Sequence, residues 1–133
     1  MTFFADAFFY VALINRHDEY HSRVIKWVEG FVGNIVTTQW VLIEVADAFA
    51  GSQMRRNLRG IFNKLENNSC TKIVASSPEY FTRGLALYDA RPDKEWSLTD
   101  CISFVVMTDE GLTDALTGDH HFEQAGFTPI FAD

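Results

Sequence analysis

Four carboxylates, Asp6, Glu44, Asp100 and Asp119, carry the chemistry this sequence can offer. Asp6 drops into an otherwise apolar segment, Thr2–Ile14, where a buried strand would end and a helix begin at Ala7. A helix N-cap is the plain role for such a residue, and from Asp6 alone the two roles stand even. Asp119 repeats the pattern after the apolar stretch Asp114–Thr117. Asp100 is harder to dismiss, because its helical neighbours Ser103, Phe104 and Met107 belong to a helix apolar nearly all round. An ionised carboxylate in such surroundings is costly unless paired or bound to a cation. Ser97-x-x-Asp100 also fits a capping box, which puts Asp100 in the exposed first turn and is compatible with metal binding. Crowded carboxylates repel, so one must protonate or a divalent cation must hold them. Hard ions such as Mg²⁺ or Mn²⁺ suit an all-oxygen set, and phosphodiester hydrolysis is the chemistry such a site performs. Thr117 stands beside Asp119 and can orient a carboxylate or a water.

The elements that must position these acids alternate. Strands are expected at the start of the chain up to Asp6, at Ile35–Thr38, Lys72–Ala75, Asp114–Thr117 and Thr128–Phe131. Helices are expected from Ala7, over His17–Phe31, from Gln39 to about Ala50, over Gln53–Glu66, from Pro78 to about Ala90, over Ser97–Met107 and from Asp119 through Gln124. Thr38, Ser77 and Ser97 are the expected caps, with Pro78 at a first helical position. Such alternation implies a parallel-sheet α/β domain, three-layered, spanning residues 1–133 without a linker. Ligands of open α/β sheets collect at the carboxyl ends of the strands, where Asp6 and Asp119 fall. Glu44 lies within the third helix, on the face of Trp40, Val41 and Ala48 and opposite Leu42, Ala46 and Phe49. Taken alone it reads as an ordinary exposed residue.

Composition bounds the rest. The chain has 133 residues, 47% of them hydrophobic, with twelve Phe and three Pro, which describes a globular protein. No apolar run is long enough to span a bilayer, and no basic segment precedes the first apolar run, so a reduced, cytoplasmic protein is expected. Cys70 and Cys101 show no metal-like spacing. His17 and His21 are four apart, yet no Glu or Cys completes a zinc set. The net charge of −7 argues against a general nucleic-acid coat. No Lys or Arg follows Lys94, so the last third of the chain is purely acidic. The only basic cluster, Arg55, Arg56, Arg59 and Lys64, lies on one helix opposite Leu58, Ile61, Phe62 and Leu65. A solvated face is its plain reading, and contact with RNA phosphates or an acidic partner is the functional one.

The segments Ala5–Tyr10, Val41–Val45, Trp96–Phe104 and Leu116–Phe127 together resemble PIN domains, and in particular VapC-type toxin ribonucleases of prokaryotic toxin–antitoxin pairs. The resemblance covers essentially the whole chain and rests on the order and spacing of all four acids. It implies a PIN-like three-layer α/β/α fold with a central parallel sheet of four or five short strands. It further implies a Mg²⁺- or Mn²⁺-dependent endoribonuclease with Asp6, Glu44, Asp100 and Asp119 as metal-site acids, a cognate antitoxin and a homodimer. Asp93 sits where many relatives carry an acid before the Ser/Thr-x-x-Asp segment, so the resemblance implies at most a supporting role for it, beside those of Thr117 and Ser97. Two other readings compete. A catalytically inactive PIN-like scaffold would keep the fold and lose metal binding. A Mg²⁺-dependent phosphoryl-transfer domain would need a late lysine and an Asp-x-Asp pair, whereas residue 8 is Phe.

Overall fold

A computed structural model describes all 133 residues. Five strands, β1 Thr2–Ala5, β2 Asn34–Thr38, β3 Thr71–Val74, β4 Asp114–Leu116 and β5 Thr128–Pro129, form one sheet in the order β3-β2-β1-β4-β5. Every pairing is parallel. The central strand β1 is buried from Phe3 to Ala5, as expected for a strand covered on both faces. Seven α-helices connect the strands: α1 Ala7–Ile14, α2 His21–Glu29, α3 Gln39–Ala48, α4 Leu58–Glu66, α5 Pro78–Ala90, α6 Leu98–Asp109 and α7 His120–Gln124. Helix α1 packs on α2 and α3, while α5 packs on α6 and α6 on α7. The result is the expected α/β/α arrangement of three layers around the sheet.

Side-chain caps start these helices at defined places. Thr38 accepts a hydrogen bond from the Val41 amide and Ser77 from the Tyr80 amide, the latter ahead of Pro78. Each cap satisfies an N–H the helix itself leaves unpaired. The Thr37 hydroxyl donates to the Ala5 carbonyl at 2.8 Å in the interior, tying the ends of β1 and β2 together. Helices α5 and α6 meet so closely at Gly84 that a Cβ there would strike Ile102.

Three expected boundaries shift, each for a local reason. The second helix begins at His21, not His17, because Asn15 and Asp18 accept from the amides of His17 and Tyr20 and close turns instead. His21 is then held by the Ala12 carbonyl at 2.7 Å, turned to a use other than pairing with His17. The segment after Ser52 opens as a 3₁₀ turn, Gln53–Asn57, and becomes α-helical only at Leu58. The final strand is cut to two residues, Thr128 and Pro129, because the Ala132 amide donates back to the Pro129 carbonyl and turns the chain. No helix is long and apolar enough to cross a membrane.

Candidate active site

The chain leaves β1 toward β2 on one side and returns through β4 on the other, so β1 and β4 flank the point where strand order reverses. Asp6 follows β1 directly and is only 6% exposed. Across the gap, fully buried Thr117 follows β4, and its hydroxyl donates to Asp6 Oδ2 at 3.0 Å. The same hydroxyl accepts from the Asp119 amide at 3.1 Å. One threonine thus fixes both strand-end acids. Between them Gly118 passes close to the Phe8 ring, where an added Cβ would lie 2.7 Å from a ring carbon. Only glycine fits there without displacing Phe8.

Asp100 arrives from α6. Ser97 Oγ accepts from the Asp100 amide at 3.0 Å, and the Ser97 amide donates to Asp100 Oδ2 at 3.2 Å. This is the reciprocal capping box expected from the sequence. Asp119 caps α7 by accepting from the His121 amide at 2.9 Å. That turn aims the His121 ring at α6, with Nδ1 3.0 Å from Asp100 Oδ2 and 3.5 Å from Asp119 Oδ1. Glu44 comes from α3, whose buried arc is Val41, Leu42, Val45 and Phe49. It stands at the margin of that arc and is half-buried, rather than on the opposite, exposed side.

These side chains line one open cleft of about 360 Å³, together with Ala7, Phe8, Glu95 and Ser97. Four of the expected residues, Asp6, Glu44, Asp100 and Asp119, are therefore brought together, with Ser97 and Thr117 holding two of them. Asp93 is not among them. It faces Arg91 in a two-pronged ion pair, both contacts at 2.9 Å, and that partner holds its carboxyl down at about 2. Arg55, Arg56 and Arg59 are exposed on the 3₁₀ turn and α4, outside the cleft lining. Two cleft residues escaped the sequence reading. Glu95 carried only a position in an acidic stretch. His121 carried a signal, since it stands two residues past the helix-capping Asp119, but its neighbour Asp100 is visible only once α6 and α7 pack.

The electrostatics follow from burial and crowding. Burial foremost, and then the charge of Asp100, pushes the Asp6 carboxyl up to about 7, against the opposing pull of the Ala7 backbone and the Thr117 hydroxyl. Glu44 is likewise pushed up to about 7, by burial and then by Asp100, Asp47 and Asp119. No Lys or Arg reaches any of the four acids; the nearest basic group is the His121 ring. The donor chemistry fits a hard divalent cation: the carboxylates of Asp6, Glu44, Asp100 and Asp119 converge on one cleft.

No family model matches this sequence, and no curated protein does either. Solved structures nevertheless share its fold. VapC20 from Mycobacterium tuberculosis, a Sarcin-Ricin-loop-cleaving toxin, aligns over 98% of both chains at 20% identity with a TM-score of 0.87. The VapBC2 structure from Rickettsia felis, bound to a DNA fragment from its promoter, aligns over 96% of both chains at 15% identity and a TM-score of 0.65. FitAcB from Neisseria gonorrhoeae covers 97% of this chain and 95% of its own, at 14% identity and a TM-score of 0.62. The architecture is thus the PIN-domain fold. That is the fold the resemblance implied, and it is shared with VapC20 over nearly the whole of both chains.

Proposed function

We propose that this protein is a metal-dependent endoribonuclease, the toxin of a toxin–antitoxin pair, that hydrolyses RNA phosphodiesters. The observation that carries the reading is the convergence of Asp6, Glu44, Asp100 and Asp119 without any lysine or arginine, at the strand ends of a fold shared with VapC20. These four residues would hold Mg²⁺ or Mn²⁺, which supplies Lewis acidity at phosphorus and a lowered pKa for attacking water. Thr117 keeps the Asp6 carboxylate in register, and the Ser97 amide does the same for Asp100. Glu44 completes the set from the cleft wall, and a neighbouring carboxylate accepts the proton that water releases. Water attacks in line, an O–P bond forms, and the P–O3′ bond breaks. The departing 3′ oxygen takes a proton from solvent water, leaving a 3′-hydroxyl and a 5′-phosphate. The RNA 2′-hydroxyl has no part in this route.

A folded RNA loop of the kind cut by VapC20 is the first substrate to assay, because VapC20 shares the fold over its whole length. The VapBC2 and FitAcB structures support a cognate antitoxin as partner, and a homodimer belongs to the same reading. Asp6→Ala, Glu44→Ala, Asp100→Ala and Asp119→Ala are each expected to abolish RNA cleavage in Mg²⁺ or Mn²⁺ while keeping the fold by circular dichroism. Normal cleavage by Asp100→Ala, or a 2′,3′-cyclic phosphate on wild-type products, would overturn the reading.

A further inference from the structure

His121 is the only residue lining the acid cleft with a side-chain nitrogen. Its position is fixed twice. The backbone N–H is clamped by Asp119, and the ring faces Asp100, which its own capping box holds. One donor atom each from Asp100, Asp119 and His121 can be chosen so that all lie within 4.8 Å of one another. Around an octahedral cation with ligands at roughly 2.1–2.2 Å, neighbouring donors stand about 3 Å apart. The separations of Nδ1 from Asp100 Oδ2, 3.0 Å, and from Asp119 Oδ1, 3.5 Å, match such edges. Mg²⁺ takes oxygen donors and keeps its waters, whereas imidazole favours transition-metal ions.

We propose that the His121 imidazole is a metal ligand beside Asp100 and Asp119, and that it shifts the cleft's preference from Mg²⁺ toward Mn²⁺ and the later first-row divalent ions. This rests on the metal-dependent reading above and specifies which ion that site selects. A nitrogen donor in an otherwise all-oxygen set costs Mg²⁺ a favourable ligand and gives Mn²⁺, Co²⁺ or Ni²⁺ a better one. His120, its sequence neighbour, faces Glu123 at 3.6 Å instead and lies outside the cleft lining. The selectivity therefore belongs to one residue of the pair.

The test uses Mn²⁺ itself on the full chain. Spin-echo electron paramagnetic resonance of the Mn²⁺-loaded protein should show nitrogen coupling from a directly bound imidazole, and labelling with ¹⁵N-histidine should change it. His121→Gln should remove the coupling, while His120→Gln should keep it. By calorimetry His121→Gln should weaken Mn²⁺ about tenfold or more and move Mg²⁺ by less than about threefold. Mn²⁺ bound without nitrogen coupling, or equal losses for both ions, would overturn the assignment and reduce His121 to a holder of Asp100. The metal-dependent reading would survive that result. If the wild type and Asp100→Asn bind Mn²⁺ equally poorly, both readings fall together. Should His121→Gln not fold, the labelled wild-type spectrum still decides.

Discussion

Two sets of carboxylates in this molecule are treated in opposite ways. On the outer surface Asp109 receives both arms of Arg83, Asp93 both arms of Arg91, and Glu110 the amine of Lys72. Their guanidinium partners hold Asp93 and Asp109 below the usual carboxylate range. In the cleft no lysine or arginine approaches, and Asp6 and Glu44 are pushed above that range by burial and by the other acids. The chain has cations for its acids and places them elsewhere. A cluster left short of positive charge in this way is stable only with its protons on or with charge supplied from outside.

The largest expected effect comes from supplying that charge internally. Glu44→Lys places an amine beside Asp6 and Asp100, and should raise the melting temperature of the metal-free protein at pH 8 while reducing RNA cleavage to background. A variant that still cleaves would show that the cleft does not need its deficit. The second prediction concerns pH. Asp6 holds its proton up to about 7 in the fold, against an ordinary value of 3.8, so unfolding between those values releases a proton. Metal-free stability therefore falls as pH rises from about 4 to about 7 and levels off above, with Asp6 contributing up to about 4 kcal/mol. Glu44 acts in the same direction. Urea midpoints across that range check the slope. Asp6→Asn should flatten it, and Mn²⁺ should stabilise the wild type far more at pH 8 than at pH 5.

Smaller effects sharpen the contrast. Thr117→Val removes the hydroxyl shared by Asp6 and Asp119, and should slow cleavage about 10–100-fold, the usual cost of losing a residue that orients a ligand. Reversing charge at Arg55 and Arg56 should lower the salt dependence of RNA binding by roughly 0.7 for each phosphate the protein no longer neutralises. An unchanged slope would return that cluster to a solvated face. Arg83→Ala breaks the exposed pair with Asp109 and should shift the melting temperature slightly, with no change in cleavage. A loss of activity matching that of Glu44→Lys would erase the distinction between the two acid sets.

Most of the fold was legible because its punctuation is local. Thr38, Ser77, Ser97 and Asp119 act within three residues of themselves, so the starts of α3, α5, α6 and α7 could be read directly. The start of α2 could not, because Asn15 and Asp18 compete with the helix for nearby amides, and periodicity alone does not register that competition. Glu44 is one of the four acids the sequence offers, yet its place at the margin of a buried arc depends on how α3 meets the sheet. His121 reaches Asp100 because Phe104 of α6 and Phe122 of α7 pack edge to face at 5.0 Å, bringing two separate helices together. Asp93 lies outside the cleft lining for the converse reason. Its spacing from Asp100 is right, but Arg91, two residues away, captures it in the loop.

The pairing of β1 with β4 has a consequence in time. Phe4 and Ala5 find their partners at Ala115 and Leu116, and Asp6 meets Thr117 across 111 positions of sequence. On the ribosome the first acid emerges early and waits while β2, β3 and most of the helices are made before its counterpart exists. During that wait, Asp6 has neither the threonine that orients it nor the aspartate that shares its task. With the proposed activity, a nascent chain is therefore inert until β4 slides in beside β1. An antitoxin present at that moment would meet its target at birth.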